Sequence, residues 1–348
     1  MKKHILFFFC LFLCLNVLGQ DQEKVIELVR EGIALHDEGK YQEAIDTYKK
    51  ASKLNKKAAF PYAEIAYTYQ ILGDCKSAMK YLNKTLKLTK KGNISDLDKS
   101  AAVQAYNIKG TCLDVGGDPK KALKVYQEGI SQYPDDYLLR YNIALTLYNT
   151  QQFNQSEQHI IKAIESNPTH TSSHYLLGLI KRQQDKRVQS LLSLYFFLLI
   201  EPNSNRSTEV LEVIDNMRQQ NVKQTEENTF EIALDPLDAN DEFAMIDVML
   251  SLTTGAIRDV IDQEQSYQTK EQLFAEDLEN FFKLLKDQKE DKEGFWWEFY
   301  ADFYISLLES KNVEAYAYYI SQSKGEAVQH WMEEYDYKIT KLADFLSE

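Results

Sequence analysis

The stretch Tyr41-Gln42-Glu43-Ala44-Ile45, followed by Tyr48 and Ala51, decides the reading of this chain. Ala44, Ile45, Tyr48 and Ala51 fall at i, i+1, i+4 and i+7, which is one face of a helix. The small residue Ala44 then recurs as Ala78, Ala122, Ser156 and Ser190. Three of the four gaps are 34 residues and the second is 44, so one unit carries a ten-residue insertion. A 34-residue period in a sequence rich in alanine, leucine and tyrosine predicts stacked helix–turn–helix units. Such a stack presents a surface for holding something, not a pocket for chemistry.

Working outward, a second small residue lies twelve positions before each of these: Gly32, Ala66, Gly110, Ala144 and Gly178. Four positions after them come Tyr48, Leu82, Tyr126, Ile160 and Leu194, and seven after come Ala51, Thr85, Gly129, Ala163 and Phe197. Three units end at Pro134, Pro168 and Pro202. Leu138, Tyr141, Ala144, Leu145 and Tyr148 form another helical stripe. Turn signals at Gly39-Lys40, Gly73-Asp74 and Gly116-Gly117-Asp118-Pro119 separate the helices. This pattern resembles the tetratricopeptide repeat over about residues 25–204. The resemblance implies an all-α fold, in which about five antiparallel helical hairpins wind into a right-handed superhelix. In that family the two small positions let the paired helices approach closely, and the proline stops the second helix. Lys56 stands where the first unit's proline belongs, and Phe197 is large where a small residue is usual. The fifth unit is therefore expected to pack irregularly. The insertion around Lys90–Asp96 is expected to lengthen the helices flanking one loop.

Residues 1–19 have the build of a signal peptide. Lys2 and Lys3 precede an apolar core from Ile5 to Leu15, and Val17-Leu18-Gly19 supplies small residues ahead of a cut before Gln20. Cys14 follows Phe12-Leu13, which is not the setting of a lipidated cysteine. Residues 190–200 are apolar but too short to span a bilayer and read as a buried helix. The expected product is exported, periplasmic or secreted, and not membrane-inserted after cleavage; the compact signal has a bacterial look. Cys75 and Cys112 remain after cleavage. In the repeat register they lie in neighbouring regions. An oxidising compartment would let them pair, but bridge geometry is strict, and two small buried thiols are the favoured expectation.

Charge divides the chain near residue 205. Residues 20–204 are mildly basic, whereas in 205–348 acidic residues outnumber basic ones more than two to one. The expected domains are thus a signal peptide (1–19), a repeat domain (20–204) and an acidic, aromatic-rich helical domain (205–348). The acidic half has too little basic character to bind nucleic acid through its backbone. Its aromatics, including Phe295-Trp296-Trp297-Glu298-Phe299-Tyr300 and Tyr316-Ala317-Tyr318-Tyr319, argue for a packed core. Thr269-Lys270-Glu271-Gln272 predicts a capping box opening a helix through Lys286. Another helix is expected through Trp296, Phe299, Phe303, Ile305 and Leu308, and one continuous helix from Glu326 to Leu346. Val222–Asn240 reads as a linker or long loop.

No arrangement with catalytic geometry stands out. His170 and His174 are spaced i, i+4, but no third metal ligand follows. Asp235, Asp238, Asn240 and Glu242 lack the glycine and terminal glutamate of a calcium loop. Gly116-Gly117-Asp118-Pro119 lacks the ending of a phosphate-binding loop. Nothing calls for a cofactor or a metal. The resemblance instead implies a concave groove lined by the first helices, with Phe60, Tyr67, Asn107, Tyr141, Tyr148, Tyr175 and Arg182 on it. Tyrosine offers rigid apolar area with a polar tip, suited to an extended segment or helix of a protein partner. The reading is therefore an exported, non-enzymatic scaffold. The alternative is an enzyme or ligand-binding protein with its site in the C-terminal helical domain.

Overall fold

A computed structural model of the protein describes residues 22–90, 94–226, 229–232, 241–262 and 269–347. The signal segment 1–19 and the loop residues Asp235, Asp238 and Asn240 lie outside these. The chain divides into two compact units, Met1–Ser166 and Asn167–Glu348. This division falls one helix pair before the charge break at residue 205, so the fifth hairpin belongs to the second unit.

The first unit is four helical hairpins. They are α1 (22–37) with α2 (Tyr41–Leu54), α3 (Phe60–Ile71) with α4 (Cys75–Thr89), α5 (Asp96–Val115) with α6 (Pro119–Gln132), and α7 (Tyr137–Asn149) with α8 (Phe153–Ser166). The chain reverses between paired helices through one left-handed residue per unit: Gly39, Gly73, Gly117 and then Gln151 (φ 77°, 73°, 83° and 59°). Glycine takes this conformation freely. The aspartates Asp74, Asp118 and Asp136 then cap α4, α6 and α7 by accepting the amides of Ser77, Lys121 and Leu139.

The small-residue register is a packing requirement. A methyl group added at Gly110 would stand 2.2 Å from Cε1 of Tyr126, and one at Gly32 would stand 2.3 Å from Cε1 of Tyr48. Both tyrosines are buried, so each ring occupies the space that its facing glycine leaves. Where the later position is serine, the hydroxyl reaches across the hairpin: Ser156 Oγ donates to the Ala144 carbonyl at 2.6 Å.

The ten-residue insertion lengthens α5 to 20 residues. Its added turns reach back over the preceding hairpin. Asp98 Oδ1 accepts the amides of Ala59 and Phe60, at 2.7 and 3.2 Å, at the start of α3. Cys75 and Cys112 form a disulfide with Cα atoms 5.5 Å apart. This corrects the expectation of two free thiols. The first residue of α4 and the last turns of α5 come within the separation a bridge needs.

The second unit is built around α10 (Arg187–Ile200), which follows α9 (Thr171–Gln183). The turn between them is again left-handed, at Asp185 (φ 56°), and Ser190 Oγ donates to the Gly178 carbonyl at 2.8 Å. Helix α10 is buried on nearly all sides, so the outsized Phe197 is fully enclosed. Around it lie α11 (Asn205–Gln219), α12 (Ala244–Asp262), α13 (Lys270–Lys289), α14 (Asp302–Glu309) and α15 (Val313–Ile320), and α16 (Glu326–Glu334) and α17 (Asp336–Ser347) pack on α15. Tyr304 and Tyr316 donate their hydroxyls to the Leu192 and Tyr195 carbonyls, at 2.8 and 3.0 Å, which fastens α14 and α15 to α10. The pair of Arg218 and Asp277 ties α11 to α13.

Four local features refine the sequence reading. The capping box at Thr269 and Gln272 is present, and its helix runs on to Lys289. The aromatic run opens as a π-helical turn, Trp296–Ala301, which buries Trp296, Trp297 and Tyr300 together. Within the expected linker, β1 (Val222–Glu226) and β2 (Thr229–Ile232) pair as an antiparallel hairpin, with Val222 opposite Ile232. The expected single C-terminal helix is two, because Tyr335 leaves helical geometry (ψ 38°) and packs against Trp331 at 4.9 Å.

Candidate functional site

In the first unit the register residues of α1, α3, α5 and α7 form a series of half-exposed side chains. Tyr67, Gln70, Asn107, Thr111, Asp114, Tyr141, Leu145 and Tyr148 are all neither buried nor free. Helix periodicity puts these positions on one face, and cross-helix contacts fix them there. His36 Nδ1 donates to Thr68 Oγ1 at 3.0 Å, since that hydroxyl itself donates to the Glu64 carbonyl. The His36 ring stacks on Tyr67, with centroids 5.2 Å apart. Asn142 Nδ2 donates to Asn107 Oδ1 at 2.7 Å, and Thr146 Oγ1 donates to Asp114 Oδ2 at 2.8 Å. Two of these bonds join residues 32 apart, His36 to Thr68 and Asp114 to Thr146, so one geometry is used twice along the stack. Tyr148 leans on Phe153 at 5.6 Å.

Of the expected site residues in this unit, Tyr67, Asn107, Tyr141 and Tyr148 are accessible and Phe60 is not. Phe60 is 6% exposed. The correction has a physical cause: the lengthened α5 brings Asp98 onto the Phe60 amide, and Ala101 joins the same apolar cluster as Phe60. Three residues of the face were not singled out from sequence: His36, Glu64 and Asn142. His36 holds the place in its repeat that Gln70, Asp114 and Tyr148 hold in theirs, so the register alone identifies it. Glu64 is partly buried, and loss of hydration pushes its carboxyl up to about 7.

Tyr175 and Arg182 belong to the second unit. Tyr175 is half-buried against Phe197, at 5.4 Å, under the Arg206 guanidinium. Arg182 is exposed and borders a polar recess of about 200 Å³ that Asp185, Lys186, Arg187 and Asp247 also line. Arg187 is bound into the structure: its Nε donates to Asp247 Oδ1, and its Nη2 donates to the Asp247 carbonyl and to Ser251 Oγ, each at 2.6 Å.

His174 is buried, and both its ring nitrogens are engaged. Nε2 donates to the Pro168 carbonyl at 2.8 Å, so Nδ1 accepts from the Tyr300 hydroxyl at 2.6 Å. Desolvation pushes this imidazole down to about 4. It is a neutral packing residue. Among the described residues no group of three or more His, Cys, Asp or Glu side chains is placed to hold a metal, and no helix is long and apolar enough to cross a membrane.

The hairpins and their half-exposed face define an α-helical repeat protein. The tetratricopeptide-repeat model matches residues 28–57 and 138–170, so the chain carries tetratricopeptide repeats over part of its length. Such repeats are protein-interaction scaffolds and are generally not catalysts. No curated protein matches the chain. Among solved structures, YrrB, described as a TPR protein with an unusual peptide-binding site, is 20% identical with a TM-score of 0.40, over 57% of this chain and 96% of that one. The pilF protein of Pseudomonas aeruginosa is 15% identical with a TM-score of 0.48, over 58% and 91%. MamA from Desulfovibrio magneticus is 20% identical with a TM-score of 0.39, over 56% and 96%.

Proposed function

We propose that this chain is an exported, non-enzymatic scaffold that holds a peptide segment of a protein partner on the first-helix face of residues 22–166. The observation that carries the reading is the half-exposed run of Tyr67, Asn107, Tyr141 and Tyr148, in which Asn107 is held by a cross-helix hydrogen bond and Tyr67 and Tyr148 rest on the rings of His36 and Phe153. Rings fixed before binding lose little freedom when a partner arrives. Export is supported by the signal-like residues 1–19 and by the Cys75–Cys112 disulfide, a bond that persists in oxidising compartments. The test of binding is the double variant Tyr141→Ala/Tyr148→Ala. Aromatic anchors are worth about 2 kcal/mol or more each when truncated, so peptide affinity should fall by at least about two orders of magnitude with helicity kept. Undiminished binding by a folded double variant refutes the assignment. The mass of the mature chain from its native compartment should place the N-terminus at Gln20; retention of residues 1–19 refutes export by signal cleavage.

A further inference from the structure

We propose that one end of the first unit, where α2 and α4 finish, docks peripherally on an anionic lipid bilayer. The contact needs nothing from the groove face. Second helices end and first helices begin on this side of the stack, and bonds gather their ends together. Asn55, just past α2, donates its side-chain amide to Gln22 Oε1 at the start of α1, at 3.1 Å. Asp98, in the first turn of α5, holds the amides of Ala59 and Phe60 at the start of α3. Leu88, near the end of α4, packs on the cluster that contains Ala58, Phe60 and Ala101. Two leucines stand out of this end: Leu54 is 43% exposed and Leu97 is 46% exposed. Leu54 closes α2, and Leu97 sits in the added turns of α5. The residues that correspond to Leu54 in the third and fourth hairpins are the polar Gln132 and Ser166. An exposed leucine here is therefore not something the repeat demands.

Around the leucines the open charge is positive. Lys53 lies in the last turn of α2, with Lys56 and Lys57 just after it. Lys87 lies in the last turn of α4, and Lys90 follows. All five are exposed, and none bonds a carboxylate among the described residues. Of the carboxylates at this end, Asp96 is taken by Lys99 at 2.8 Å and Asp98 by the two amides. Glu23 remains, with Lys24 beside it in the first turn of α1. The patch stops at the third hairpin, where the loop before α7 carries Asp135 and Asp136 in place of lysine. Lysines ringing exposed leucines suit the boundary of an anionic bilayer: ammonium groups meet the headgroup phosphates and the leucines enter the acyl margin. A soluble acidic segment would use the lysines and leave the leucines in water. The chain itself brings the same end to a membrane, since only residues 20 and 21 separate Gly19 from Gln22, a reach of about 10 Å. While the leader-like residues 1–19 occupy a membrane, as export requires, this end lies against its surface.

The test is flotation of residues 20–348, without the apolar leader, on vesicles of phosphatidylcholine alone or mixed with phosphatidylglycerol. The mixed vesicles should take up the protein and the neutral ones little of it, and added salt should release it. Near an anionic surface each lysine is worth roughly fivefold in partitioning, so Lys53→Gln/Lys56→Gln/Lys57→Gln should lower binding by about two orders of magnitude. Leu54→Ser/Leu97→Ser, at exposed positions, should also lower binding, with the salt dependence kept. Lys76→Gln/Lys80→Gln/Lys120→Gln removes the same charge from exposed positions of α4 and α6 and should cost far less; an equal loss there means diffuse attraction and overturns the site. No uptake by the mixed vesicles overturns it as well. So does binding that the leucine changes leave unmoved and that soluble polyglutamate matches, which assigns the lysines to an acidic protein. Tyr141→Ala/Tyr148→Ala should float as the parent does, whatever becomes of the groove reading; a loss in that variant moves the membrane contact to the groove face and overturns the site.

Discussion

Reducing the Cys75–Cys112 bridge should weaken the first unit and leave the second alone. The bridge joins the start of α4 to the end of α5 over a sequence separation of 37 residues. Closing a loop of that size in the unfolded chain removes conformational entropy worth about 4 kcal/mol at 25 °C in the chain-entropy account. With a urea dependence of about 2 kcal/mol/M for a domain of this size, the unfolding midpoint should drop by about 2 M on reduction. The tryptophans make the assay selective. All three, Trp296, Trp297 and Trp331, lie in the second unit, so their fluorescence follows that unit alone, while far-ultraviolet circular dichroism follows both. The dithiothreitol-treated protein should show an early dichroism transition at lower urea and an unmoved fluorescence transition. Equal dichroism midpoints before and after reduction would refute the reasoning. So would alkylation of Cys75 and Cys112 in the unreduced, unfolded mature protein.

Two further outcomes follow from packing and protonation. Gly110→Ala drives a methyl group into the Tyr126 ring, and overpacking of this kind costs about 1–3 kcal/mol; the dichroism transition of the first unit should fall, and Gly110→Ala with Tyr126→Leu should recover part of the loss. His174 is held neutral with its pKa near 4, below the ordinary histidine value. Its unfolded form therefore takes a proton first on acidification, so its contribution is intact above about 6.5 and is lost as pH falls towards 4, by about 3 kcal/mol in all. Tryptophan-monitored unfolding at pH 7 and pH 5 should register about 2 kcal/mol of that loss, and His174→Gln, which retains a donor for the Pro168 carbonyl, should flatten the dependence.

The hairpins are legible in the sequence because their spacing is enforced by contact. Gly110 must be small since Tyr126 fills its place, and Gly178 stands in the same relation to Leu194. The left-handed turn position carries the same period, even where Gln151 and Asp185 replace glycine. What the sequence hides is whatever depends on a distant segment. Phe60 reads as a groove residue in its own repeat, and only the added turns of α5 bury it. The two cysteines hold a pairing that their spacing in the chain does not encode. The charge break near residue 205 marks a change of surface, whereas the units divide by burial, and α10 is enclosed by the helices that follow it. Phe197 is the residue in which this was visible, too large for an ordinary hairpin and fully enclosed in the structure.

The two units use polar groups in opposite ways, and the difference argues for where recognition lies. In the second unit polar groups point inward and are consumed by the fold: His174 between Pro168 and Tyr300, Arg187 on Asp247 and Ser251, Tyr304 and Tyr316 on the α10 backbone. Tyr175, an expected groove residue, is likewise packed against Phe197. In the first unit the bonds run sideways between neighbouring first helices, from His36 to Thr68, Asn142 to Asn107 and Thr146 to Asp114. Bonds of that direction orient side chains without covering them. They hold His36, Asn107 and Asp114 at set positions along the face, which lessens the ordering that a partner would have to impose on them. A surface arranged in this way can hold a segment through a few fixed contacts, which is the property that the tyrosine substitutions would measure.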